Sequence, residues 1–369
     1  MILLWPDGAT LDRIRQHTPF AAPGVTTTTA TVTRVAPACT GSDQSGEGTG
    51  SCGTIDVRIL GGAGQGDHAE VRVAPEVTAS GLNAGDTVRL LRTPAQHGQA
   101  VSYTFDTIDR GTPLAWLALA FVVVVVAVAR MRGVMAILGL CFSAVTIYYF
   151  LLPALLAGEP PVLVAAVGAS AIMFVVLYST HGVSLRTSTA LAGTLVGIGL
   201  TAGLAVLSVG YTRLTGIADE SGGMVSTFAT GLDFQGLLVC GVILAGLGVL
   251  NDVTITQASS VWELRAASPS MSRRDLFVSA MRIGRDHIAS TIYTIAFAYA
   301  GASLAVLLLI TIYDRPLVQL ISSESLAEEI ARTLVTSIGL ILAVPITTGI
   351  ATIVTSAARG APGSAPLEP

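Results

Sequence analysis

Apolar and polar positions follow two different periods along this chain, and the change falls near residue 109. Before it, short stretches alternate at every second residue: Thr26–Val35, Thr54–Leu60, His68–Val73, Thr87–Leu91 and Ala100–Asp106. Gly61-Gly62, Gly64-Gln65-Gly66 and Asn83-Ala84-Gly85-Asp86 stand between them. Alternation bounded by turn residues predicts strands, because successive side chains of a strand point to opposite faces. Strands this short and this closely spaced predict a small all-β domain, an OB-like barrel.

Beyond residue 109 the alternation gives way to long apolar runs near Leu114–Ala129, Val134–Leu156, Val162–Ser179, Ala190–Val209, Phe234–Val253, Ile288–Tyr313 and Leu334–Ala357. Each approaches the roughly 20 residues a helix needs to cross the hydrocarbon layer. The valines from Val122 to Val126 would favour a strand in water. In lipid an unpaired strand leaves its backbone polar groups unsatisfied, so the helix wins. The fold class expected is a membrane all-α helical bundle of about seven transmembrane helices with a small extracytoplasmic all-β domain. The expected boundaries are an N-terminal remnant at 1–19, the β domain at 20–109, the bundle at 110–357 and a disordered tail at 358–369. Met1-Ile2-Leu3-Leu4-Trp5-Pro6 reads as the outer end of a further, eighth helix lying upstream.

Composition agrees with lipid as the main solvent. Of 369 residues, 51% are hydrophobic and only 12% charged, with a mean hydropathy of +0.69; soluble domains carry about 25% charged residues. The net charge of -4 excludes nothing by itself. The 20 basic residues are all arginine and form no block interleaved with aromatics, which argues against nucleic-acid binding.

Arginine placement sets a topology. Alternate connections hold Arg130 and Arg132, then Arg186, then Arg265, Arg273, Arg274, Arg282 and Arg285, and finally Arg359. The opposite connections hold only Arg213, Arg315 and Arg332, beside Asp219, Glu220, Glu324, Glu328 and Glu329. By the positive-inside rule the arginine-rich side is cytoplasmic, with the β domain outside and the C-terminus inside. Two connections carry capping-box patterns, Ser272–Asp275 and Ser325–Glu328. The first opens a segment with Leu276, Phe277, Ala280, Met281 and Gly284 at helical spacing, which predicts an amphipathic helix along the inner interface.

Cys141 and Cys240 lie in apolar runs and read as packing residues. Cys39 and Cys52 flank a Gly/Ser-rich stretch and are a candidate disulfide in an oxidising compartment, with two free thiols on a loop as the alternative. No spacing of His, Cys, Asp or Glu suggests a metal, and no cofactor motif is present.

The candidate chemistry lies in the fifth apolar run. After Leu250 come Asn251, Asp252, Thr254, Thr256, Gln257, Ser259, Ser260 and Glu263. Asp252, Thr256, Ser259, Ser260 and Glu263 share one helical face, extended upstream by Gly241, Ala245 and Gly248. Asp252 falls ~27 Å along a helix starting at Phe234, toward the inner edge of the hydrocarbon. A carboxylate in lipid costs at least ~2.5 kcal/mol and marks a functional site by default; Asp252 is the candidate proton carrier. The competing reading has it at the interface, paired with Arg265 or Arg186. His181, Arg186, Asp286 and His287 are secondary candidates near the same side, and Thr194 reads as packing.

Asp109-Arg110 with Pro113-Leu114, the run Leu152 to Val162, His181-Gly182 with Thr189 to Thr194, and Gly248 to Asp252 through Glu263-Leu264 together resemble the YibE/F family of bacterial multi-pass membrane proteins. That resemblance implies a bacterial plasma-membrane location and no defined substrate. More distantly, Leu250-Asn251-Asp252-Val253-Thr254 through Trp262-Glu263-Leu264-Arg265 is similar to the intramembrane Asn-Asp motif and following charged pair of SecF-type export proteins. That likeness implies a proton-coupling role, which falls on Asp252 alone. This chain departs by two extra spans and a displaced Arg265.

The function expected is a proton-coupled transporter or export-assisting permease acting on a small molecule, ion or exported protein. The alternative is a non-transporting envelope scaffold or sensor whose β domain binds a partner or ligand. Lipid is the expected partner, with a homo-oligomer as a further expectation. No nucleophile–base pattern supports an enzyme.

Overall fold

A computed structural model describes residues 1, 4–5, 24–37, 53–95, 100–229, 231–312 and 316–357. It divides into two compact units, Arg15–Val124 and Met1–Ile14 with Val125–Pro369. Cys39, Cys52, Arg315 and Arg359 lie outside the described residues, as does the segment 358–369.

The first unit holds five strands: β1 (Thr26–Val35), β2 (Thr54–Ile59), β3 (His68–Arg72), β4 (Thr87–Thr93) and β5 (Ser102–Ile108). Each coincides with a predicted stretch to within about two residues. They form one antiparallel sheet in the order β3-β2-β1-β4-β5, curled into a half-barrel. A one-turn helix, α1 (Pro75–Ala79), joins β3 to β4. Alternation does the folding: Ala30, Val32, Ile55, Val57, Ile59, Val88 and Leu90 are buried on the inner face, while Thr27, Thr29, Thr33 and Arg34 face out. A register shift between Val32 and Arg34 lets β1 bend while both neighbours stay bonded. Beyond β1 and β2 the chain remains paired, with Ala36 N–H donating to the Thr54 carbonyl at 2.9 Å and Gly53 N–H to that of Pro37 at 2.8 Å.

The rest is helical: α2 (Gly111–Thr146), continued through a π-helical turn at Ile147–Leu151 into α3 (Leu152–Leu156), then α4 (Pro161–His181), α5 (Leu185–Thr212), α6 (Glu220–Phe228), α7 (Phe234–Ala267), α8 (Arg273–Ala302), α9 (Leu304–Ile312), α10 (Leu317–Ile321) and α11 (Glu324–Ala357). Five of these stretches are long and apolar enough to cross a membrane: Gly111–Leu156, α4, α5, α7 and α11. The first breaks at Arg130, whose φ of 52° and ψ of -132° are non-helical. A Cβ on Gly133 would stand 2.6 Å from the Val125 carbonyl, so the chain doubles back within a few residues. That break falls at the arginines taken above to divide the first two predicted runs.

Two expectations need correction. The segment from Arg273 does not form a separate interfacial helix ahead of a span at Ile288. Ser272 caps it as predicted, its hydroxyl accepting from Asp275 N–H at 3.1 Å, but α8 runs unbroken to Ala302 and is interrupted at Ser303. Nothing between Arg285 and Ile288 breaks a helix, since the change from charged to apolar residues alters the solvent a helix prefers and not its backbone. The Ser325 capping box is also displaced: α11 begins at Glu324, putting Ser325 inside the first turn.

Within the bundle α5, α7 and α11 pack most intimately. Small residues allow it, as membrane helices associate where backbones can approach. Gly193 of α5 faces the Thr347 side chain of α11, and Gly339 of α11 faces Thr201 of α5. A Cβ on Gly197 would meet Leu250 of α7 at 2.9 Å. Pro345 sits inside α11 between these two glycine contacts.

Candidate functional site

α7 is started by Asp233, whose carboxylate accepts from Gly236 N–H at 2.9 Å. Its 34 residues span ~51 Å, more than the ~30 Å hydrocarbon core requires. The polar run therefore occupies a continuing helix rather than a frayed end. Thr254 lies opposite Thr194, eight residues along α5 from Arg186, so Asp252, two residues before Thr254, stands ~15 Å from that arginine's level.

The predicted polar face divides. Asp252 and Glu263 point away from the bundle, the Asp252 side chain being 63% exposed. Ala245 and Gly248, which extend the polar face upstream, share this uncovered flank, and Gly246, beside Thr336, makes a close helix approach. Thr256, Ser259 and Ser260 are half-buried, with the Ser260 hydroxyl donating to the Thr256 carbonyl at 2.9 Å. Gln257 is buried on the opposite side, its amide donating to the Ala280 carbonyl of α8 at 2.9 Å. Gly284 of α8 leaves room for that side chain. Asn251 Oδ1 is buried without a hydrogen-bond partner.

Neither Arg265 nor Arg186 reaches Asp252. Its partner is His287 of α8, with Nε2 3.4 Å from Oδ2, an electrostatic contact rather than an aligned hydrogen bond. Arg265 instead donates to the Met271 carbonyl at 2.7 Å and to Ser356 Oγ at 3.2 Å, tying the end of α7 to the following turn and to α11. His181 contacts Thr180 Oγ1 at 2.7 Å through Nδ1 at the end of α4, and Arg186 lies half-buried at the start of α5. Asp286 is exposed beside His287. Of the secondary candidates, the structure joins only His287 to Asp252 among the described residues.

A family model for YibE/F-like proteins matches residues 117–357, well over half the chain. The chain belongs to the YibE/F-like family. Neither the curated proteins nor the solved structures contain a significant match to it. The matched region of this YibE/F-like protein runs from within α2 to the end of α11 and takes in the whole polar run.

One contact in that region adds to the sequence reading of a packing residue. Thr194, taken for packing, meets Thr254 with hydroxyls 2.7 Å apart, both fully buried. Thr194 Oγ1 is 2.9 Å from the Ala190 carbonyl and Thr254 Oγ1 2.8 Å from that of Leu250. With one proton each, one hydroxyl donates to its own helix and the other across the interface. Thr201 and Thr347, against their glycines, have buried hydroxyls without partners. The sequence signal was the recurrence of threonine along α11 at 336, 347, 348, 352 and 355.

Proposed function

We propose that this YibE/F-like protein is a proton-coupled permease of the bacterial plasma membrane, with Asp252 and His287 as the groups that take up and release the proton. The observation that carries the reading is the contact between a carboxylate and an imidazole on the uncovered flank of an apolar helix bundle, away from either end of α7. A carboxylate there costs several kcal/mol unless paired or hydrated, and imidazole is the side chain whose charge changes near neutral pH. Half-buried Thr256 and Ser259, one and two turns further along α7, supply hydroxyls for a hydrated path, and Glu263 stands at its mouth. Because Asp252 is uncovered by its own chain, the path is completed by water or by a second subunit.

In this reading the chain crosses seven times: on either side of Arg130, through α4, α5 and α7, through the second half of α8 with α9, and through α11. The arginine-rich ends are cytoplasmic and the sheet is outside. The strand order, with a helix between β3 and β4, supports an OB-like barrel in which β3 and β5 close the cylinder. A sheet with its own apolar core also favours the second reading, an envelope sensor whose β domain binds a partner.

Proteoliposomes holding the full chain and a pH-sensitive dye, energised by a potassium gradient with valinomycin, test the proposal. Wild type is expected to admit protons faster than empty vesicles, and Asp252→Asn or His287→Gln to lower the rate about tenfold or more. Equal rates in empty and protein-bearing vesicles, or an unaltered Asp252→Asn, would remove proton coupling.

A further inference from the structure

A cavity of about 490 Å³ lies at the other end of α7, among the loop after α5, the start of α7 and the start of α11. Its size is that of a small-molecule site. Two kinds of surface meet in it. Val225, Phe234 and Leu237 give apolar walls, while Asp219, Glu328, Glu329 and Arg332 bring three carboxylates against one guanidinium.

The carboxylates differ in what already occupies them. Asp219 caps α6, accepting from Gly222 N–H at 2.7 Å. Glu329 is 3.7 Å from Arg332. Glu328 is 8% exposed, and its Oε1 is buried with no hydrogen-bond partner. Glu324, one turn earlier, accepts from the Thr215 backbone and hydroxyl and holds the loop across the start of α11. Glu328 thus has one carboxylate oxygen shielded from solvent and unbonded; the Gly216 N–H and the Arg332 guanidinium face the group, and Arg332 is shared with Glu329, so negative charge remains in excess.

We propose that this cavity binds a small organic cation, an ammonium group seated at Glu328 with a hydrocarbon body against Phe234 and Leu237. The net negative lining selects the sign of the charge. The apolar walls suit a hydrocarbon rather than the hydration shell of a bare ion. Gly241 of α7 gives the site its depth, since a Cβ built there meets nothing within 4 Å. Binding here does not depend on the proton reading at Asp252, which lies eleven residues further along the same helix.

The test is equilibrium binding of phenethylammonium to the full chain in lipid nanodiscs, against empty nanodiscs, with phenethyl alcohol and phenylacetate as competitors. Saturable binding is expected, displaced by neither competitor. Glu328→Gln should weaken it about tenfold or more, the loss of a charged hydrogen bond. Gly241→Leu, which fills the cavity from a helix without touching Glu328, should weaken it as much. Asp252→Asn should bind like wild type, so failure at one site is separable from failure at the other. Uptake no greater than in empty nanodiscs, equal binding by both cavity variants and wild type, or equal displacement by the alcohol would overturn the assignment. If Glu328→Gln alters the melting temperature, Gly241→Leu decides.

Discussion

Threonine occupies opposite positions in the two units. On β1, Thr27, Thr29 and Thr33 face out while Ala30 and Val32 fill the core; of its threonines Thr28 alone is buried, its hydroxyl donating to the Gly61 carbonyl. In the bundle, Thr194, Thr254, Thr347, Thr348 and Thr355 are fully buried, and the outer surface carries Val128, Phe174, Phe297 and Ile353. The sheet obeys water: apolar groups leave the solvent and hydroxyls stay in it. In the bundle the solvent is itself apolar, so burial gains little and packing with internal hydrogen bonds does the work. Thr348 and Thr355 donate to Val344 and Ala351, four residues back on their own helix. A hydroxyl can be buried there because the helix supplies its acceptor.

Substitutions that exchange the two rules should break the contrast, beginning with the most severe. Val57→Asp puts an unpaired charge into the sheet core and should cost that unit at least about 4 kcal/mol. Limited proteolysis of the full chain should then cut within 26–108 while the helical fragment survives; protection equal to wild type would contradict the separate core. Cys39→Ser tests the compartment. Pro37 and Gly53 are hydrogen-bonded, and along the chain they stand two residues before Cys39 and one after Cys52. A bond between them should stabilise the β unit by about 3 kcal/mol. A thiol-alkylation mass shift on non-reduced protein from intact cells reads it directly, and two alkylated thiols would remove both the bond and the support it lends to an outside location.

Gly193→Leu forces a side chain into Thr347 across the α5–α11 interface and should cost about 2 kcal/mol, seen as unfolding at lower detergent mole fraction in an SDS titration. Gly210→Leu, where a Cβ meets nothing within 4 Å, should leave that curve in place. Thr254→Val is the mildest. It removes the hydroxyl shared with Thr194 and should cost about 0.6 kcal/mol in the same titration. A loss several times larger would mean that the threonine pair, rather than glycine contact, holds α5 to α7.

The five strands and most of the apolar runs were legible because each depends on a period within one segment. Ser272 as a cap was of the same local kind. Asp252's partner was not, because His287 is 35 residues away and the contact depends on how α7 and α8 are rotated about their axes. The polar run drew attention to one face of α7. It could not tell that Asp252 and Glu263 turn outward while Gln257 and Thr254 turn in, since all are polar. Arg265 was offered as a countercharge because of its sign, yet the free carbonyls after α7 claim it. Glu328 read as one acid in an outer loop; only the fold of residues 215–222 over α11 buries it.

Pro345 has a mechanical meaning. Lacking an N–H, it leaves the Ile341 carbonyl without its helical donor, so α11 bends most easily there. Gly339 against Thr201 pins the helix on one side of that point, and Gly193 against Thr347 pins it on the other. Beyond the first clamp lies Glu328, and beyond the second the Arg265–Ser356 tie. α11 is therefore two stiff arms sharing one compliant joint, and a load on the arginine end is absorbed at the joint before it reaches the cavity at Glu328.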